Sequence, residues 1–313
     1  MRHTGRVWNV ANGYAVIGII AVAGFFLRRT GFLDESAVSL THRLTFFIAT
    51  PALFFTALST ADVGTLLSTY FPVIAVVSIL GLVVAALGAR LLFRERFATA
   101  VSTAVSASYM NANFVGIPLA TYVLGDAALS TPVMLFQLLV VSPIVLAIFD
   151  FAQSGKVTVS TVLLQPLRNP IIVASVAGAI VGISGVTVPF VIGEPLRLVG
   201  AAAVPLALLL LGMTFHGDGV LATGNRGPVV WATLVKLFIM PVAGWWLATF
   251  VFQLSAETVW VVVLLLLLPT GFNAQNYAMR YGLSDRTARD TIALTTLLAF
   301  PMMLVAAVLL TPN

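Results

Sequence analysis

The chain has no cysteine and very little charge. Only 9% of its 313 residues are Asp, Glu, Lys or Arg, whereas an ordinary soluble domain carries roughly 25%. The missing cysteine excludes disulfides, thiol nucleophiles and thiolate metal ligands. The three histidines (His3, His42 and His216) are scattered near the ends of apolar segments, so no zinc motif can be built from them.

Apolar residues dominate instead. They make up 60% of the chain, more than a soluble protein of this size could bury, so lipid must be the solvent. A bilayer core of about 30 Å takes about 20 residues per helix. We therefore predict an all-α membrane protein of ten transmembrane helices, near residues 8–27, 44–61, 68–92, 99–124, 130–150, 170–188, 196–215, 227–252, 258–279 and 290–310.

The basic residues predict the orientation of these spans. A net charge of +5 could suggest nucleic acid, but most Lys and Arg lie in short loops between apolar segments, as in cytoplasmic loops. Of the 16 basic residues, twelve fall on one side, three (Arg2, Arg6 and Arg197) on the other, and Lys236 inside a span. The positive-inside rule then predicts a multi-pass protein of the inner (cytoplasmic) membrane with both termini on the outer face and no nucleic-acid partner.

The ten predicted spans divide into five plus five. Residues 1–150 form the first five-helix repeat, 151–169 a cytoplasmic linker and 170–313 the second repeat. Units with an odd number of spans must be inverted relative to each other in the membrane, a common plan of transporters. The polar segment Asn111–Asn113 in the fourth span matches Asn273–Gln275 in the ninth, 162 residues later (273 − 111).

The fourth and ninth spans are also predicted to be broken. Proline removes a backbone donor and clashes with the carbonyl four residues back, and glycine tolerates the unwinding. Unwound backbone cannot face lipid, so it must line an enclosed cavity. The predicted break residues are Gly116, Pro118, Pro269 and Gly271.

Polar uncharged side chains cluster at these breaks. We predict that they bind the transported solute, because carboxamides supply donors and acceptors without the cost of a buried charge. The alternative is that they are hydrogen-bonding contacts between helices; for Gln137 in the fifth span we give the two alternatives equal weight. The candidate substrate-binding residues are Asn111, Asn113, Thr270, Asn273, Gln275, Asn276 and Gln137.

Charged residues are nearly absent from the spans. Lys236 either attracts an anionic substrate or extends to the inner headgroups, and we favour the second reading. All acidic residues fall in loops or near span ends, so a proton antiporter with a buried carboxylate has no candidate residue. No cofactor is predicted, metal ligands are unknown, and coupling to sodium or protons is left open.

Several short motifs, in this order, resemble the auxin efflux carrier family in its bacterial form. They are the turn 28–34, Thr50–Leu53, Asn113–Pro118, Val204–Leu208 with Gly212, and 269–282. The resemblance implies two inverted five-helix repeats with a scaffold domain and a transport domain, whose fourth and ninth helices cross at Pro118 and Pro269. It also implies a small mono- or dicarboxylate substrate bound by the nearby Asn residues, and it makes a homodimer a reasonable expectation. Sodium-coupled bile-acid-type carriers share this architecture.

The leading hypothesis is therefore a secondary active transporter of small organic anions that works by alternating access. The first alternative is a sodium-coupled bile-acid-type symporter. An intramembrane hydrolase is a weaker alternative, suggested by Gly182–Gly185, whose Ser184 would need activation by His216. The predicted topology places that histidine at the opposite membrane surface. A passive channel has no positive support.

Overall fold

The computed structural model describes residues 2–60, 70–154, 169–214 and 226–310. Across these ranges the regular structure is helical, apart from one isolated antiparallel bridge between Met110 and Thr270. The helices are α1 (Arg2–Arg29), α2 (Glu35–Thr60), α3 (Phe71–Leu91), α4 (Phe97–Ser108), α5 (Ala112–Leu124), α6 (Ala127–Ala152), α7 (Pro170–Ser184), α8 (Phe190–Met213), α9 (Arg226–Val251), α10 (Ala256–Leu266), α11 (Asn273–Arg280) and α12 (Arg286–Leu310).

Six helices in the described ranges are long and apolar enough to cross a membrane, judged by length and composition: α2, α3, α6, α8, α9 and α12. Four further apolar helices are shorter: α4, α5, α7 and α10. The chain is thus an all-helical, multi-pass membrane protein. The count of ten spans and their inverted arrangement stay predictions, and most of the predicted linker 151–169 lies outside the described residues.

Local side-chain chemistry sets several helix ends. α2 begins at Glu35, nine residues before the predicted start at 44, because the Asp34 carboxylate accepts a hydrogen bond of 2.9 Å from the Ala37 N–H. α7 begins behind Asn169, whose side chain accepts from the Ile171 N–H at 3.0 Å. It ends four residues before the predicted boundary, where Gly185 adopts a left-handed φ of +67°.

Two helix pairs approach closely through glycine. α7 packs on α2, and a Cβ atom added to Gly178 would lie 2.5 Å from the Phe55 carbonyl oxygen. α1 packs on α8, and a Cβ atom added to Gly212 would lie 1.7 Å from the Ala21 carbonyl oxygen. Larger residues would therefore push these helices apart, which is the usual reason for small residues at membrane helix interfaces. These four helices form what we call the outer group.

The remaining helices surround α4, in which every residue from 100 to 108 is buried. α4 contacts α3, α6, α9, α11 and α12. We call α3–α6 and α9–α12 the crossing group, because both interrupted helices belong to it. The site described next lies where this group meets α2 and α7.

Candidate functional site

Two interrupted helices cross at the centre of the crossing group. α4 ends at Ser108 and α5 begins at Ala112, while α10 ends at Leu266 and α11 begins at Asn273. The segments between them pair antiparallel: the Asn111 N–H donates to the Pro269 oxygen at 2.8 Å, and the Gly271 N–H donates to the Tyr109 oxygen at 2.9 Å. We call this arrangement the crossing.

The position of the first interruption corrects the prediction. Gly116 and Pro118 lie inside α5, and the chain unwinds before them, at residues 109–111. The turn 112–116 is a wider π-type turn, in which the Ile117 N–H donates to the Ala112 oxygen. Pro118 follows in the first turn of the next helical segment, where its missing N–H costs little. The helix therefore tolerates Pro118 without breaking there.

Pro269 and Gly271, in contrast, lie within the second interruption. Pro269 has no N–H to continue the helix, and its carbonyl serves the crossing instead. A Cβ atom at Gly271 would lie 3.0 Å from the Met110 oxygen and 3.1 Å from Tyr109 Cδ1. Glycine thus permits the close approach of the two unwound segments.

Neighbouring helices satisfy the backbone N–H groups that the interruptions release. Gln137 of α6 holds both backbone groups of Met110: its Oε1 accepts from the N–H, and its Nε2 donates to the oxygen at 3.1 Å. At the equivalent point of the second interruption, the Thr270 N–H donates to Thr295 Oγ1 of α12 at 3.0 Å. Gln137 therefore bonds a neighbouring helix, although it also borders the cavity described below.

The carbonyls four residues before the bridge are satisfied in two different ways. The Ser106 oxygen accepts from Thr270 Oγ1 at 2.6 Å, and the Leu266 oxygen accepts from Lys236 Nζ at 3.0 Å. Lys236 is fully buried, so the prediction that it extends to the headgroups is wrong. Thr270 is also fully buried with both polar groups engaged. It borders no part of the cavity described next, and its contact with solute stays a prediction.

A cavity of about 320 Å³ lies between the crossing and helices α2, α6 and α7. One part of its wall is apolar, contributed by Phe46, Phe47, Met110, Phe114, Met134, Leu138, Ile171 and Phe272. The polar part consists of His42, Tyr109, Asn111, Asn113, Gln137, Asn273 and Asn276. The cavity thus lies between the crossing group and the outer group. It is lined by four of the five predicted carboxamides of the fourth and ninth spans.

Asn111 borders this cavity and has an unpaired donor. Its Oδ1 accepts from the Phe114 N–H at 3.1 Å and so caps the start of α5. That bond identifies the other end of the amide as Nδ2, which has no hydrogen-bond partner in the described parts of the chain although the residue is only 3% exposed. A buried donor without a partner is costly, which makes Asn111 a candidate for binding a solute.

The other carboxamides differ in their use. Asn273 Nδ2 donates to the Tyr109 hydroxyl at 2.9 Å, and the Asn113 Oδ1 lies 3.4 Å from Thr50 Oγ1. Asn276 is exposed at the cavity. Gln275 faces elsewhere, because its Nε2 donates to Asp285 Oδ2 at 2.9 Å. Gln275 therefore borders no part of the cavity, and the binding role of the other carboxamides stays a prediction.

A hydroxyl network beside the crossing was missed by the sequence analysis. The Tyr109 hydroxyl lies 3.1 Å from Ser142 Oγ. Ser142 Oγ also accepts a hydrogen bond from the Tyr277 hydroxyl at 2.7 Å and donates to the backbone oxygen of Gln137 at 2.8 Å. The spacing of Tyr277, four residues after Asn273, could have revealed it, since such residues share a helix face. His42 was also missed as a cavity residue; its ring lies 5.6 Å from that of Phe114.

The electrostatics of the cavity suit an anion. α5 and α11 both begin at the crossing, and a helix carries a partial positive charge at its N-terminus. Among the described residues that line the cavity, none is Asp or Glu. Two helix N-termini and a residue with an unpaired amide donor therefore border a space without competing negative side chains.

The weaker alternatives gain no support in the described residues. Ser184 lies at the exposed end of α7, where its Oγ donates to the Val181 oxygen at 2.9 Å, and His216 is outside the described ranges. Nowhere in residues 2–60, 70–154, 169–214 and 226–310 do three or more His, Asp or Glu side chains form a group that could hold a metal ion.

Comparison with known proteins gives one consistent result. A family model described as "Membrane transport protein" matches residues 13–307, nearly the whole chain. Proteins described as "Uncharacterized transporter YfdV" from Escherichia coli K12 and Shigella flexneri are 22% identical over 288 residues, which cover 89% of this chain and 90% of each relative. These matches confirm the resemblance to the auxin efflux carrier family.

Proposed function

Since the chain belongs to the membrane transport protein family, we propose that it is a secondary active carrier that moves a small organic anion, a mono- or dicarboxylate, by alternating access. The solute would bind in the cavity at the crossing. The observation that carries the proposal is that Asn111, whose buried Nδ2 donor has no partner among the described residues, borders a cavity between two helix N-termini.

Each element of the site favours a carboxylate. The oxygens of a carboxylate accept hydrogen bonds only, so they match amide N–H groups and helix N-termini. Asn111 offers such a donor, and Asn113, Asn273 and Asn276 line the same space. The aromatic rings of Phe46, Phe114 and Phe272 would cover the apolar part of the solute.

The position of the cavity supports alternating access. It is bounded on one side by the crossing and on the other by α2 and α7, and each pair of close-packed helices in the outer group would move as a unit. Matched contacts at the two interruptions support an inverted repeat: Met110 and Thr270 are 160 residues apart (270 − 110), and Gln137 and Thr295 are 158 apart (295 − 137). Rocking of one group against the other would expose the cavity to each side in turn.

A thermal-shift screen of the purified protein against small carboxylates tests the proposal. A ligand that binds only the folded state stabilises it by about 2.7 kcal/mol at 100 times its Kd. We expect at least one mono- or dicarboxylate to raise Tm in a saturable way and its uncharged amide analogue to have no effect. Each carboxylate is screened in sodium and in potassium chloride, because a response confined to sodium would indicate the sodium-coupled symporter instead.

Two substitutions test the location of the site. Asn111→Asp keeps an oxygen for the Phe114 N–H but replaces the free donor with a negative charge, so it should abolish the carboxylate response and uptake into proteoliposomes. Asn273→Ala should weaken both. Gln275→Ala is the matched control, since it removes a carboxamide from the same helix outside the cavity. Full carboxylate binding by Asn111→Asp and Asn273→Ala would place the site elsewhere.

The proposal includes the membrane and the topology. The protein would lie in the cytoplasmic membrane with both termini on the outer face, as the distribution of basic residues predicts. Because the chain has no cysteine, a single cysteine introduced at Arg2 can be labelled from outside intact cells with a membrane-impermeant maleimide. Labelling only after the cells are opened would contradict this orientation. A homodimer remains part of the proposal and can be tested by light scattering in detergent.

A further inference from the structure

Lys236 is a buried cation for which the proposed transport site has no use. It lies in α9, its side chain is fully buried, and no carboxylate in the described parts of the chain forms an ion pair with it. An ammonium removed from water costs several kcal/mol unless other groups compensate. Its one hydrogen bond to a described residue is the 3.0 Å contact from Nζ to the Leu266 carbonyl oxygen.

The Leu266 carbonyl is free because α10 is interrupted there. In a continuous helix it would accept from the N–H of Thr270, four residues later. That N–H donates to Thr295 Oγ1 instead, and Pro269 has no N–H at all. Leu266 is the last residue of α10, so its carbonyl belongs to the unsatisfied C-terminal groups of a helix.

The charge of Lys236 matches this helix end. A helix carries a partial negative charge at its C-terminus, and in carriers with interrupted helices such ends and the unwound carbonyls beside them coordinate the coupling cation. A lysine ammonium has the charge of a sodium ion but is covalently attached to the protein. When protonated, it therefore meets the electrostatic requirement of the α10 end without a bound ion.

The first interruption has no such charge. Its corresponding carbonyl, that of Ser106, accepts from the neutral hydroxyl of Thr270. The residue that precedes Lys236 by 158 positions (236 − 78) is Ser78 of α3, which is buried and donates to the Ile74 oxygen of its own helix at 2.7 Å. The cation is thus specific to the second interruption.

We propose that Lys236 is a tethered cation that caps the interrupted end of α10, takes the place there of a coupling sodium ion, and makes solute binding independent of sodium. Lys236 is then a positioning residue, because it holds the crossing without touching the solute. The part of the proposal that concerns solute binding rests on the proposed carrier function; the capping part does not.

Chemical rescue of the Lys236→Ala variant tests the cap without any solute. Lys236→Ala should lower Tm by several degrees and leave a space beside the Leu266 oxygen. Methylammonium, which has a positive charge and N–H donors, should restore much of the loss, whereas tetramethylammonium, which has no N–H, should not. Ser78→Ala is the matched control and should show neither a comparable loss nor a response to methylammonium.

Each other outcome also decides the question. If Lys236→Ala yields folded protein only when purified in methylammonium, and not in tetramethylammonium, the cap is supported. An unchanged Tm, equal rescue by both cations, or failure to fold in either would overturn it.

Measurements on the wild-type protein test whether Lys236 replaces a coupling sodium ion. The Tm of the wild-type protein and its response to the carboxylate identified above should be the same in sodium, potassium and choline chloride. A Tm increase specific to sodium would show a sodium site and overturn this part. If no carboxylate binds but methylammonium still rescues Lys236→Ala, the proposed function fails while the tethered cation stands.

Discussion

The two interruptions of the crossing meet the same backbone problem with different side chains. At residues 109–111 a single glutamine, Gln137, binds both the N–H and the oxygen of Met110, and all the caps are neutral. At the second interruption the Thr270 N–H, which corresponds to that of Met110, donates to Thr295. The Leu266 oxygen, which corresponds to that of Ser106, accepts from the charged Lys236. Two interrupted helices thus need the same backbone groups satisfied, but different side chains can satisfy them.

This difference predicts the largest loss of stability at Gln137. Gln137→Leu leaves the buried N–H of Met110 without a partner, at a cost of about 1–3 kcal/mol. It also removes one of the two donors to the Met110 oxygen, the other being the Ala112 N–H at 2.8 Å. Thermal unfolding in detergent should show a marked decrease in Tm. The Tm of Gln137→Glu, which keeps an acceptor for the N–H, should fall between those of Gln137→Leu and the wild type. If Gln137→Leu is as stable as the wild type, the first interruption does not depend on this side chain.

A smaller loss is expected at the second interruption. Thr295→Val preserves the shape of the side chain but removes the acceptor for the Thr270 N–H, at a cost of about 1–3 kcal/mol for one stranded donor. Thr296→Val is the matched control, because the Thr296 hydroxyl donates to the Ile292 oxygen of its own helix. Equal Tm values for the two variants would show that the Thr295 contact contributes nothing to the crossing.

The smallest effect should separate two glycines that the sequence analysis treated alike. Gly271→Ala would place Cβ 3.0 Å from the Met110 backbone oxygen, which cannot move without disturbing the crossing, whereas Gly116→Ala meets the movable Leu268 side chain at 3.1 Å. Overpacking costs about 1–3 kcal/mol, and alanine is better than glycine in a helix by about 1 kcal/mol. Gly271→Ala should therefore lower Tm, and Gly116→Ala should leave Tm nearly unchanged when the two variants are measured side by side. A larger decrease in Gly116→Ala than in Gly271→Ala would mean that the close backbone contact of the first interruption lies at Gly116.

Much of the site could be located from sequence, because carboxamides next to proline and glycine are rare inside apolar spans. That pattern pointed to both interrupted segments. It could not show where each helix unwinds, since Pro118 can be accommodated by the π-type turn before it while Pro269 cannot. Nor could it separate Asn111, whose donor is free, from Gln275, which binds Asp285.

Composition and apolar run length by themselves determined that this is a helical membrane protein, because the cost of unpaired backbone groups in lipid leaves few alternatives. The roles of Gln137, Thr295, Lys236 and Tyr277 were decided only by the tertiary structure. Each of these side chains satisfies a group, or joins a network, at least 25 residues away in the chain. The physical reason is that an interrupted helix frees backbone groups whose partners must come from whichever helices pack beside it, and no local pattern records that packing.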